Sequence, residues 1–132
     1  MKMTGSNCLL DTNIIIQLFN GDTAIAKKLD ALSTVYIPSI VAGELFYGAH
    51  ASEAKTKNLK KIISFLSRCI VLHADISTAE YYGKIKASLR KKGKPIPEND
   101  IWIGAVAQQY KLVLITKDKH FKNIDNLKVK SW

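Results

Sequence analysis

Apolar residues fall in two patterns along the chain. Four short unbroken runs, Asn7-Cys8-Leu9-Leu10, Val35-Tyr36-Ile37, Ile70-Val71-Leu72 and Leu112 to Ile115, are too brief for helices and read as buried strands. A last strand is expected near Leu127 to Val129. Between the strands the apolar positions follow a helical period. Ile14, Ile15, Ile16, Leu18 and Phe19 predict a helix that stops at Asn20-Gly21. Residues 24–32 predict a second, capped by Asp22 or Thr23. A third spans Ser39–His50, with Ile40, Leu45 and Tyr47 turned inward. A fourth spans 54–67, where Leu59, Ile62, Ile63 and Leu66 form a stripe with Lys55, Lys57, Lys60 and Lys61 largely off it. Ser77 or Thr78 caps a long helix carrying Tyr82, Ile85 and Leu89 inward. Gly93 to Pro97 breaks it, and Pro97 opens a final helix through Ile101, Ala105 and Val106 to about Tyr110.

Strands alternating with helices, the clearest strands being apolar on both faces, predict an α/β protein. The expected architecture is a three-layer α/β/α sandwich with a mostly parallel central sheet. No repeat, linker or low-complexity tract interrupts the pattern, so residues 1–132 are read as a single domain. An apolar fraction of 47% excludes global disorder. No stretch is long enough to span a membrane, and the polar start followed by a run broken at Asp11 is not a signal peptide, so a cytoplasmic protein is expected. Cys8 and Cys69 sit in apolar runs and are expected to be buried free thiols. With no CxxC and no Cys/His cluster, structural zinc is not expected.

The carboxylates give the sequence its chemistry. In a parallel sheet, ligands bind beyond the C-terminal ends of the strands. Asp11 follows the first strand and Asp118 follows the Leu112–Ile115 run, so both reach the same edge. Each also has a purely structural explanation, Asp11 as a helix cap and Asp118 as a turn residue. Glu44 is the only acid in the apolar stretch from Val35 to Ala49, where a carboxylate wants a partner or a metal unless it marks a solvated face. Asp100 lies in the first turn of its helix, where the helix dipole favours an acid in any case. Glu98, two positions away, points to another side of that helix. Converging carboxylates with no basic neighbour repel one another unless a cation intervenes. Oxygen donors select a hard ion, Mg²⁺ or Mn²⁺, which can activate water against a phosphoryl group. The net charge of +9 suits a polyanionic partner, with nucleic acid the first candidate.

Five segments in order carry a family likeness: Leu10-Asp11-Thr12-Asn13; Glu44-Leu45-Phe46-Tyr47-Gly48; Pro97 through Ala105; Thr116-Lys117-Asp118-Lys119-His120-Phe121; and the closing Leu127-Lys128-Val129 with Trp132. The chain resembles the PIN-domain nucleases, specifically the VapC-type toxins of toxin–antitoxin pairs. The resemblance implies an endoribonuclease dependent on Mg²⁺ or Mn²⁺, dimeric, acting on RNA and restrained by a cognate antitoxin. It implies that Asp11, Glu44 and Asp100 are the core catalytic and metal-binding acids, with Asp118 the fourth. It implies that Thr12, Asn13 and Thr116 orient acids or waters. In that family the residue matching Asp118 is often Asn, and an acid can occur near the position of His120; here the acid is at 118 and a histidine at 120.

Lys84, Lys86, Arg90, Lys91, Lys92 and Lys94 crowd one helix end without an acid among them. They are either a solvated face or contacts to RNA phosphates. His50, His73 and His120 show no ligand spacing, and His120 is read as surface packing before general-base work. Tyr47, Tyr81, Tyr82 and Trp102 could stack on bases but sit at core-like spacing. Two rivals to the nuclease remain. A phosphatase of the haloacid dehalogenase type wants a second Asp where Asn13 stands. A nucleic-acid-binding or interaction module with an inactive PIN-like site would have no need of all four acids.

Overall fold

A computed structural model describes residues 7–132. The polar segment at residues 1–6 lies outside the described residues. Along the chain run β1 (Cys8–Leu10), α1 (Thr12–Phe19), α2 (Thr23–Asp30), β2 (Val35–Pro38), α3 (Ser39–His50), α4 (Lys55–Leu66), β3 (Ile70–Leu72), α5 (Ile76–Lys92), α6 (Glu98–Gln109), β4 (Val113–Ile115) and β5 (Val129–Lys130). The five strands form one sheet in the order β3-β2-β1-β4-β5, and every pairing is parallel. With helices packed about it, the sheet is the central layer of an α/β/α sandwich.

The central strands are buried on both faces, which is why they read as unbroken apolar runs. Leu9, Leu10, Leu114 and Ile115 have no exposed surface, nor do Ile14, Ile15 and Ile37. Each such side chain contributes about 1.5–3 kcal/mol of burial free energy. At the sheet's edge the signal weakens: Ile70 of β3 is exposed.

Four local expectations need correction. Tyr47 points outward from α3, 75% exposed, while Val41, Ala42, Leu45 and Ala49 face the core. On α4 Ile62 and Phe65 are buried and Leu59 and Leu66 pack against the core, but Ile63 is exposed. The α5 cap is Asp75 rather than Ser77 or Thr78. Its carboxylate accepts from Thr78 N at 3.0 Å while Thr78 Oγ1 accepts from Asp75 N at 3.0 Å, a reciprocal capping box. Between β4 and β5 the chain makes a 3-10 helix over Lys119–Asn123, where the sequence suggested only a turn. Phe121, fully buried, pins that helix to the core.

Cys8 is buried and Cys69 only half-buried; both are free. Burial raises both thiols, Cys69 to about 11, which keeps them protonated and unreactive.

The topology fixes where a ligand can bind. From β1 the chain passes to β2 on one side, while β4 is inserted on the other. The connections that leave β1 and β4 run in opposite directions along the sheet, so they diverge and open a crevice at the strands' C-terminal ends. Asp11 and Thr116 are the first residues beyond β1 and β4.

Candidate metal and catalytic site

The crevice is built around Asp11. The chain leaves β1 with Asp11 N donating to Ile115 O at 3.0 Å, so the β1–β4 ladder continues one residue past the strand. Asp11 is also the N-cap of α1, its Oδ1 accepting from Thr12 N at 2.8 Å. Its Oδ2 accepts from Thr116 Oγ1 at 2.6 Å and from Asn13 Nδ2 at 3.2 Å. Cap and candidate site residue are therefore one and the same. Burial pushes the Asp11 carboxyl up, the bonds from Thr116 and Thr12 bring it down, and Glu44 and Asp118 push it up again.

Thr116, 2% exposed, is the hub that joins the two strand ends. While donating to Asp11, its hydroxyl accepts from Asn13 Nδ2 at 3.3 Å and from Asp118 N at 3.0 Å. Asn13 Oδ1 accepts from Lys117 N at 3.2 Å. Thr12, Asn13 and Thr116 thus all hold carboxylates or the loop that carries them.

Glu44 enters from α3. Its Oε1 accepts from Thr12 Oγ1 at 2.6 Å, and its Oε2 from Asn99 Nδ2 at 3.5 Å. Asn99 directly precedes Asp100 in the first turn of α6, so one glutamate ties α1, α3 and α6 together at the crevice.

Asp100 is pushed up to about 6, first by burial and then by the charges of Asp118 and Asp11; His120 opposes this. Asp118 caps the 3-10 helix, its Oδ1 accepting from His120 N at 2.9 Å. Donor atoms of Asp100, Asp118 and His120 all lie within 4.8 Å of one another. Of the four expected acids, only Asp100 and Asp118 join this close group, with the histidine; Asp11 and Glu44 stand outside it, held by hydrogen bonds, though Asp11 still feels the charges of Glu44 and Asp118.

His120 corrects the expectation of an acidic pocket with no basic neighbour. Sequence spacing conceals it because its partner Asp100 is twenty residues away. The residue two places after the capping Asp118, in a helix starting there, was the available signal. Among the described residues, no lysine or arginine pairs with Asp11, Glu44, Asp100 or Asp118. Glu98 stays out of the site, bonded to Tyr82 and paired with Lys86.

Clustered carboxylates at a switch-point crevice, in this chain order, match a family. A PIN domain family model covers residues 8–127. This chain belongs to the PIN-domain family. Ribonuclease VapC2 of Haemophilus influenzae is 36% identical to it, with 94% of this chain and 96% of that one covered. The tRNA(fMet)-specific endonuclease VapC of Shigella flexneri is 32% identical over the same shares. A crystal structure of VapBC2 from Rickettsia felis bound to a promoter DNA fragment superposes with a TM-score of 0.91 at 34% identity, covering 95% of this chain and 98% of that chain. The DNA-bound VapBC of Salmonella typhimurium also gives a TM-score of 0.91, at 33% identity, with 96% and 98% covered. The likeness places this PIN domain with the VapC-type toxins.

The donor set of the PIN domain fits a divalent cation. Asp100 and Asp118 offer carboxylate oxygens at the crevice, and the rise of Asp100 to about 6 records the repulsion and burial that a cation would relieve. Asp11 keeps one lone pair after its three accepted hydrogen bonds.

The basic run over the C-terminal half of α5 and just past its Gly93 cap is divided. All six cations are exposed, but Lys86 pairs with Glu98 and Lys92 with Asp125. Lys84, Arg90, Lys91 and Lys94 make no ion pair among the described residues. Among the described residues no helix is long and apolar enough to cross a membrane.

Proposed function

We propose that this chain is the toxin of a toxin–antitoxin pair, an endoribonuclease of one domain that hydrolyses RNA phosphodiester bonds at the Asp11–Glu44–Asp100–Asp118 site and acts in the cytoplasm. The observation that carries this reading is the convergence of those acids, unpaired with lysine or arginine, beyond β1 and β4. A net charge of +9 around an acidic pocket suits a protein that binds a phosphate backbone in order to cut it.

Asp100 and Asp118 would hold the cation, Mg²⁺ or Mn²⁺, with Asp11 behind them. When bound, the ion supplies a water of lowered pKa and steadies charge on the phosphoryl oxygen. The protein's own part is positional. Thr116 and Asn13 hold the Asp11 carboxylate in one orientation, and Thr12 and Asn99 hold Glu44. Lys84, Arg90, Lys91 and Lys94 are the candidate phosphate contacts. A cognate antitoxin is the expected protein partner, since the neighbouring structures are VapBC complexes. A second copy of this chain is a further one.

The test is cleavage of a labelled RNA pool with Mg²⁺ or Mn²⁺, with a chelator, and with Asp100→Asn. Cleavage should need the ion and fall by several orders of magnitude in the variant. Metal-dependent cutting at the wild-type rate by Asp100→Asn would overturn the site. RNA binding without cutting would favour the non-catalytic module.

A further inference from the structure

The donor that the acid pattern did not foresee bears on which ion the site takes. His120 Nδ1 lies 3.1 Å from Asp118 Oδ1 and 3.4 Å from Asp100 Oδ2. Neighbouring ligands of an octahedral ion bound at about 2.1 Å are roughly 3.0 Å apart. The nitrogen therefore stands from each oxygen near the spacing of one coordination shell, and the three donor atoms lie within 4.8 Å of one another. Their arrangement is anchored: Asp118 caps the 3-10 helix through His120 N, and Phe121, the next residue, is fully buried. His50 and His73 are outside this group and exposed.

We propose that His120 Nδ1 is a direct ligand of the ion beside Asp100 and Asp118, and that it tilts the site toward Mn²⁺ over Mg²⁺. This rests on the metal-dependent reading above and adds to it a ligand and a selectivity. Mg²⁺ is small and hard, sheds water reluctantly and binds through oxygen. Mn²⁺ stands at the weak end of the affinity order of the divalent transition ions, but it is softer than Mg²⁺ and takes an imidazole nitrogen at lower cost. Exchanging one oxygen for nitrogen thus costs Mg²⁺ more than Mn²⁺. In the metal-free protein the same imidazole sits between two carboxylates as a hydrogen-bond partner, so the ion takes over a preformed cluster.

The probes are the two metal ions alone, with no RNA. Mn²⁺ affinity is measured by titration calorimetry, Mg²⁺ affinity by competition against it, and the Mn²⁺ ligands by pulsed electron paramagnetic resonance. The wild-type spectrum should show ¹⁴N coupling from one directly bound imidazole. His120→Ala should abolish that coupling and lower the Mn²⁺/Mg²⁺ affinity ratio about tenfold. His120→Asp should also lack the coupling, yet bind Mg²⁺ at least as well as wild type. The histidine is about half exposed, so both variants should fold. Mn²⁺ bound without ¹⁴N coupling, or an affinity ratio unchanged in both variants, overturns the proposal. Asp100→Asn separates the two readings. If it abolishes Mn²⁺ binding while the wild type shows no nitrogen ligand, the acid site stands and His120 is only a counter-charge. If the wild type binds no Mn²⁺, both fail.

Discussion

Thr12 Oγ1 donates a 2.6 Å hydrogen bond to Glu44 Oε1, joining the first residue of α1 to the middle of α3. Neither residue needs this contact for its own helix. Its consequence is to fix a carboxylate whose remaining partner, Asn99 Nδ2, is 3.5 Å away. Thr12→Val keeps the shape and removes the donor. Stability should fall by about 1 kcal/mol, the usual net worth of such a bond, whereas kcat should drop at least tenfold because Glu44 loses its orientation. Thr12→Ser should recover most of the rate. An unchanged kcat for Thr12→Val, measured at saturating RNA, would remove Glu44 orientation from the account.

The raised carboxyls make the metal-free fold sensitive to pH in a defined direction. Asp100 stands at about 6 against its ordinary 3.8, so the folded state holds its proton more tightly than the unfolded state. Stability from this group is therefore fullest below pH 4 and is lost as pH rises through 6. In chelator, Asp100→Asn should melt above wild type at pH 7–8, and the gap should close as pH falls toward 4. Added Mg²⁺ or Mn²⁺ should raise the wild-type melting temperature and not that of the variant. A gap independent of pH would show that Asp100 is not strained in the fold.

RNA binding should follow the unpaired cations. Replacing Lys84, Arg90, Lys91 and Lys94 by Gln should weaken it and make its salt dependence shallower, by nearly one unit of log–log slope for each phosphate no longer neutralised. Replacing Lys86 and Lys92, which already pair with Glu98 and Asp125, should change the slope less. Turnover at saturating RNA should hardly move in either set, because uniform binding is what is removed. Equal slopes in all three proteins would make the run a solvated face and send the search to Lys117, Lys119 and Lys122.

Gly104 is closely packed on α6, the helix that carries Asp100. A Cβ there would lie 2.8 Å from Ile124 Cδ1, with Leu127 Cδ2 at 3.8 Å and Ile85 Cδ1 at 3.9 Å. Alanine gains about 1 kcal/mol in helix propensity, but overpacking costs about 1–3 kcal/mol, and Ile124 is itself buried. Gly104→Ala should destabilise by about 1 kcal/mol. Adding Ile124→Val deletes the clashing methyl and should restore much of the loss, a coupling readable by denaturant melts. Additive losses in the double variant would mean that the strain falls elsewhere.

The sequence by itself determined the order of the strands and α-helices and the parallel sheet. These follow from local physics: two-sided burial forces unbroken apolar runs on β1 and β4, and Gly93 and Pro97 end and begin helices through their own backbone limits. Local patterning also placed Asp11 one step beyond a strand. It could not say that Asp11 would be helix cap and buried partner of the other strand end at once, because the second role needs Thr116, 105 positions away. Tyr47 defeats the periodicity because Ser39–His50 is apolar around most of its circumference, and a period cannot choose a face when nearly every face is apolar. The basic run looks uniform until tertiary packing brings Glu98 to Lys86 and Asp125 to Lys92. His120 is the clearest case: its meaning lies in its distance to Asp100 on another helix, and only the closure of β4 and its 3-10 helix against α6 creates that distance. Short-range preferences act on neighbours in the chain, whereas a site is a set of neighbours in space, and the fold alone converts one into the other.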